Sequence, residues 1–429
     1  MDPEVASPTE NSTLADAKPS LTESPQPHLH LLENAQTRKE RRTELVQLAT
    51  LCGVLLISGW VDGSLGPLIP TIQNFYAVSY ARVSLIFVCR CVGYVSGAFT
   101  NIFITHKFGF GKLVLLGPLL LIVGCAILAA AIAIPFEVFL CANLLLGFGA
   151  ATQNSQAVGY VASIRAGQDT KMGIFQACYG VGCLIGPLAV TPFAHLKRRG
   201  FWALNFVIIV GLAALNLLAL WAVFRGRTQA EGLARIGQFE LEEHEKDKTA
   251  VADPPAPRSH LESVRKLMSL KIVHLLAFFL FIYVGTEVTL TGWIVTYMIQ
   301  VRGGGPSSGY IPSGFWGGFV LGRIILLPLN KRVRILPVYI YFSLCIGLEL
   351  IIWFVPNLIV DAVAVSLFGL FFGPIFVLGL GVAARTVPPP LLTSAVAWLS
   401  GISYTGASVI PLITGAIAGR AGIQCMQPV

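Results

Sequence analysis

Charge is what this chain has least of. Asp, Glu, Lys and Arg make up 12% of its 429 residues, about half of the roughly 25% that a soluble domain carries. With 55% hydrophobic residues and a mean hydropathy of +0.72, a water-soluble globular fold is excluded. Catalytic signatures are missing too. The sequence has no Walker loop, nucleophile elbow or cluster with metal-ligand spacing, and its seven His are scattered. That removes ATP-driven pumping by the chain alone and supports no enzyme class, cofactor or metal. Nine cysteines are present, but Cys52, Cys89, Cys91, Cys125, Cys141, Cys178, Cys183 and Cys345 lie inside apolar runs, where they act as small hydrophobes. The first apolar run begins near Leu45, too far along to be expected as a cleavable leader.

What the chain does have is long apolar runs. They fall at roughly 45–72, 82–105, 112–134, 136–161, 171–193, 201–224, 272–299, 309–328, 335–354, 357–383 and 391–417, each long enough to cross about 30 Å of hydrocarbon as a helix. These predict an all-α membrane protein with eleven spans in a lipid bilayer. Residues 1–43 read as a disordered, Pro/Ser/Thr/Glu-rich tail, 44–224 as a first half, 225–271 as a polar central loop and 272–429 as a second half. Most of the 30 Lys and Arg fall on the side that holds the tail and central loop. The positive-inside rule then makes that side cytoplasmic, although Lys197, Arg198 and Arg199 run against it. The formal charge of +8 is thereby topological, and no nucleic-acid partner is implied.

The two halves carry traces of one pattern. Ser96-Gly97 with His106 matches Ser313-Gly314 with Arg323 at an offset of 217, and Gly182-x4-Pro187 matches Gly406-x4-Pro411 at 224. Gly147 and Gly369 lie 222 apart, and Asp62 and Glu287, the acids deep in spans 1 and 7, lie 225 apart. Four matches at nearly one offset predict two parallel six-helix halves, the architecture of the major facilitator superfamily, with a substrate site at the midplane between them. The same offset places a twelfth span near residue 423, where the sequence is about to end. The expectation is therefore a truncated sequence, or an eleven-helix variant with one flank of its second half uncovered.

Several stretches resemble one branch of that superfamily. "HKFGFGK" (106–112) stands where the superfamily carries an Asp-Arg-x-Gly-Arg type loop, with His106 in place of the Asp. "YVGTEVTLTGWIVTYM" in span 7, "QACYGVGCLIGPL" in span 5 and "SGFWGGFVLGR" in span 8 resemble the fucose-permease-like branch. Within it the chain is similar to fungal members of the bypass-of-stop-codon and sodium-dependent glucose transporter-like kinds. The resemblance implies symport of a sugar or other small polar solute with protons or sodium. It also implies conformational roles for His106, Lys107, Gly109 and Arg323. The chain departs from the branch in three places. Span 4 offers Thr152, Gln153, Asn154 and Gln156 but no acid. Gln176 stands where a His is common, and Asp62 lies about one turn before the usual acid position near Gly66.

Candidate site residues follow from depth and periodicity. Gln153, Gln156 and Tyr160 share one helical face and either line a cavity with Asn154 or join helices. Gln176 and Tyr179 share a face of span 5. Arg90 leads a stripe with Tyr94, Gly97 and Asn101. It lies at the depth of Asp62, so it either pairs with that acid or reaches the outer interface. Tyr283, Glu287 and Thr291 share a face of span 7, where an intramembrane carboxylate costs on the order of 3 kcal/mol. Glu287 is thus a candidate for both solute binding and ion coupling, with Asp62 and Arg90 as coupling partners. Trp293 is either a stacking surface or part of an interfacial belt. The leading expectation is a secondary transporter of a sugar-like solute, working as a monomer in the plasma membrane. An exporter of a fungal secondary metabolite, or a non-transporting sensor or inactive product, are the alternatives.

Overall fold

The computed structural model describes residues 36–165, 167–194, 196, 200–238, 265–326 and 336–426. Among them there is no strand; the long helices are α1 (Arg38–Gly63), α2 (Leu85–Phe108), α3 (Phe110–Ala129), α4 (Phe136–Ala162), α5 (Gln168–Ala194) and α6 (Leu204–Phe224) in the first half. The second half holds α7 (Lys271–Gln300), α8 (Ile311–Ile325), α9 (Leu336–Phe354), α10 (Leu358–Thr386) and α11 (Pro389–Ala421). Nine helical stretches among the described residues are long and apolar enough to cross a membrane. The eighth and ninth predicted spans are represented by the shorter α8 and α9.

Local chemistry sets the helix ends. α1 begins at Arg38, inside the expected tail, because Thr37 and Glu40 form a capping box that satisfies two otherwise orphaned N–H groups. The first span is broken at Ser64 and resumes as Leu65–Tyr76. Gly109, at φ +74°, makes the corner between α2 and α3, a backbone region open to glycine at little cost. Asn357 caps α10 by accepting from Ile359 and Val360 N–H. The central loop starts with a short helix, Gln229–Ala234. Gln47 donates to Gly232 O at 3.3 Å, and the Gln229 amide donates to Ser163 Oγ at 2.6 Å, strapping this segment under the first half.

The internal repeat is written in helix crossings. A Cβ on Gly182 of α5 would lie 2.0 Å from Leu56 O on α1, and one on Gly406 of α11 would lie 2.0 Å from Phe281 O on α7. Likewise a Cβ on Gly147 of α4 would meet Arg90 O on α2 at 2.1 Å, and one on Gly369 of α10 would meet Phe315 O on α8 at 2.1 Å. The paired carbonyls, 56 with 281 and 90 with 315, are themselves 225 positions apart. Small residues let membrane helices approach this closely, and they do so at matching places in both halves.

The halves meet along three seams: α2 with α11, α5 with α8, and Leu65–Tyr76 with α7. Ser313 Oγ donates to Leu184 O at 2.9 Å, and the Tyr80 hydroxyl bonds the Gln300 side chain. A Cβ on Gly66 would meet Thr291 O at 2.1 Å. These contacts lie toward the end of the bundle away from the start of α1.

The flanks differ. α6 lies over α1 and α3, leaving Ile57 and Leu121 buried and Gly53 facing Asn216. Their counterparts in α7 and α9, Ile282, Ile346 and Phe278, are exposed. Among the described residues no helix covers that second flank.

Candidate functional site

Asp62 of α1 and Arg90 of α2 form an ion pair. Arg90 Nη1 donates to Asp62 Oδ1 at 3.0 Å, Arg90 Nε donates to Asn143 Oδ1 of α4 at 3.0 Å, and the Tyr179 hydroxyl of α5 donates to Asp62 Oδ2 at 3.0 Å. Four helices are thus tied to one ion pair. A guanidinium held at this depth needs such partners to offset its desolvation. The Asp62 side chain keeps 46% of its surface exposed against 15% for Arg90, so the carboxylate fronts open space between the halves.

The second half answers with Glu287. It is half-buried on α7, and its carboxylate makes no direct ion pair among the described residues. The arginine of the following helix is Arg323, near the end of α8. Arg323 Nε donates to Gly373 O of α10 at 3.1 Å, and its guanidinium sits 4.2 Å over the Phe319 ring. Arg323 stands 12 positions into α8 from Ile311, and Glu287 stands 13 positions before the end of α7 at Gln300. The two therefore share a depth. Each half carries an acid on its first helix and an arginine on its second.

Two tyrosines, one from each half, also meet across the seam. Tyr94 of α2 and Tyr404 of α11 stack at 3.8 Å between centroids with 13° between planes. The Asn154 amide donates to the Tyr94 hydroxyl at 3.2 Å. Tyr404 and Asn143 were not among the sequence candidates. A lone Asn or Tyr in an apolar run carries no periodic signal, and only the fold shows what it faces.

The remaining candidates are placed as follows. Gln153 donates to Ser58 Oγ at 2.6 Å, Gln156 donates to Asn101 Oδ1 at 3.0 Å and Thr105 Oγ1 at 2.9 Å, and Tyr160 donates to Gln47 Oε1 at 2.9 Å. All three are buried and join α4 to α1 and α2. Tyr283 is buried, donating to Phe372 O at 3.1 Å and stacking on Phe372. Trp293 is fully buried against Tyr80 and Phe87 and donates to Pro411 O at 3.3 Å. Gln176 is exposed, and Tyr179 and Asn154 are half-buried. Lys107 is exposed at the α2–α3 corner beside Gly109, and the side chain of His106 is outside the described residues.

Two pseudo-symmetric helical halves with a charged seam at mid-depth define a multi-pass membrane transporter and not an enzyme. The sequence model described as Major Facilitator Superfamily matches residues 51–411, and the chain belongs to that superfamily. Among its relatives, bypass of stop codon protein 6 of Saccharomyces cerevisiae is 26% identical over 402 residues, covering 89% of this chain and 79% of that protein. The glucose/mannose transporter GlcP of Bacillus subtilis is 21% identical over 356 residues, covering 83% and 84%. Similar solved folds include a bacterial homologue of the human lysosomal transporter Spinster in an inward-facing, unoccupied conformation. Its TM-score is 0.69 at 14% identity, over 92% of this chain and 83% of that one. A D-xylose–proton symporter aligns at a TM-score of 0.65 and 12% identity, over 89% and 94%. The chain is a secondary transporter by family and fold.

Proposed function

We propose that the protein moves a small, sugar-like solute by alternating access, together with protons, across the plasma membrane, with its N-terminus in the cytoplasm. The observation that carries this reading is the pair of mid-depth acids facing the seam, Asp62 and Glu287. Polar hydroxyls of a solute find acceptors there in both carboxylates. The names of two relatives point the same way, one a glucose/mannose transporter and one a D-xylose–proton symporter.

The acids divide the work. Asp62 is engaged by Arg90 and Tyr179 and acts as a fixed anchor for the first half. Among the described residues Glu287 has no ion-pair partner fixed in place, which leaves it free to trade a proton as the seam opens and closes. An intramembrane acid in such a position is a functional residue by default. Contacts between the halves lie toward the end away from the start of α1, so the seam opens toward the cytoplasm in this reading. Rocking the halves about Glu287 and Asp62 exposes them to each side in turn.

Purified protein in liposomes tests the reading. Labelled D-glucose or D-mannose should accumulate when the liposome exterior is made acidic, and a protonophore should abolish the accumulation. Uptake that ignores the pH gradient and stops at equilibration would remove proton coupling. No uptake of any hexose would remove the sugar class.

A further inference from the structure

Tyr94 and Tyr404 are the two residues at which the halves touch face to face in the middle of the bundle. The other ring contacts described between the halves are edge-on or tilted: Tyr80 with Trp293 at 62°, Phe87 with Trp293 at 47°, and Tyr179 with Trp316 at 86°. An edge-on contact breaks when helices part and leaves no defined shape behind. A parallel stack at 3.8 Å and 13° leaves a slot with two flat, apolar walls.

The position of the stack gives that slot a purpose. Tyr94 lies one turn from Arg90, which holds Asp62, and Tyr404 lies on α11, which packs along the α7 that carries Glu287, so the slot joins the helix pairs that carry the two acids. Its walls are held from behind. The Asn154 amide donates to the Tyr94 hydroxyl at 3.2 Å, and the Cys91 thiol contacts Tyr404 O at 3.4 Å. Gly406, two residues on, presses α11 against Phe281 O, which limits how far the Tyr404 backbone can drift. At 3.8 Å the rings fill the slot, so a solute enters only by separating them.

We propose that Tyr94 and Tyr404 set the solute specificity of the site by exchanging their mutual stack for a stack on a ring-shaped solute. The reading rests on the sugar-class function proposed above and refines it. A pyranose has hydroxyls at its edge and C–H bonds on its faces. Its edge suits Asp62 and Glu287 and its faces suit two phenol rings. An open-chain hexitol has the same hydroxyls and no rigid face, so it gains from the acids and little from the tyrosines. The pair therefore discriminates closed rings from open chains of equal polarity.

The test compares D-glucose and D-mannose with D-glucitol and D-mannitol in liposomes bearing wild type, Tyr94→Leu, Tyr404→Leu or Tyr404→Phe. Wild type should prefer the hexoses. Each Leu variant should cut the hexose-over-hexitol preference about tenfold, the loss of one aromatic face, without weakening hexitol transport. Tyr404→Phe, which keeps the face, should retain the preference. Undiminished hexitol transport in the Leu variants also verifies that they fold. Leu variants that impair both solute types equally would make the stack a structural contact only and overturn the inference. The same follows if Tyr404→Phe loses ring preference as fully as Tyr404→Leu. Wild-type protein that moves none of the four would overturn the sugar-class reading itself, and this inference with it.

Discussion

Arg90 and Asp62 meet at 3.0 Å across α1 and α2, and the guanidinium is the more deeply buried partner. The asymmetry matters. Neutralising the acid strands a mostly buried cation, whereas neutralising the arginine leaves a carboxylate that already reaches open space. Asp62→Asn should therefore cost more stability than Arg90→Gln. The loss should be of the order of 1.5–3 kcal/mol, as for a hydrogen bond to a charged group. The double variant should be less unstable than the sum of the two. Thermal unfolding in detergent, followed by size-exclusion fluorescence, measures all three; strict additivity would mean that the pair contributes nothing.

The matched glycine crossings make a prediction about symmetry. Gly182→Ala and Gly406→Ala each place a Cβ 2.0 Å from a facing carbonyl, so each must push two helices apart. Overpacking of this kind costs typically 1–3 kcal/mol, and the two variants should lower the melting temperature by similar amounts. Gly159→Ala and Gly381→Ala, whose Cβ positions meet nothing within 4 Å, serve as controls and should be neutral. Unequal losses at 182 and 406 would argue against equivalent crossings.

For the α4 amides the prediction separates structure from binding. Gln156 is spent on Asn101 and Thr105, and Tyr160 on Gln47. Gln156→Ala and Tyr160→Phe should lower thermal stability by about 0.5–1.5 kcal/mol per bond lost while leaving the solute KM unchanged. A rise in KM with stability intact would put these side chains in the solute path.

Much of the fold could be read from the sequence because its signals are long or repeated. Apolar runs of membrane length mark the spans, and an offset near 225 survives in glycines whose size is dictated by a facing carbonyl. The Asp62–Arg90 pair was legible for a different reason: two opposite charges at equal depth in adjacent spans have few alternatives to meeting. The candidate site was less legible. The stripe Gln153, Gln156 and Tyr160 has the same period whether it lines a cavity or binds α4 to α1 and α2, and periodicity names a face without naming its neighbour. Trp293 could belong to a solute or to the outer seam, and its burial against Tyr80 and Phe87 depends on a contact between halves. Tyr404 carried no signal, since its partner lies 310 positions earlier. Arg323 was read from its place near a loop, yet helix length, set by the end of α8 at Ile325, brings it level with Glu287.

The central claim is that Glu287 carries the coupling proton. Glu287→Gln keeps the shape and hydrogen-bonding capacity of the side chain but cannot titrate. The decisive measurement runs two modes of transport on the same liposomes: exchange of labelled for unlabelled hexose at equal pH, and accumulation driven by an acidic exterior. The account predicts that Glu287→Gln exchanges hexose near the wild-type rate and fails to accumulate it. A variant that accumulates hexose as wild type does would contradict the account.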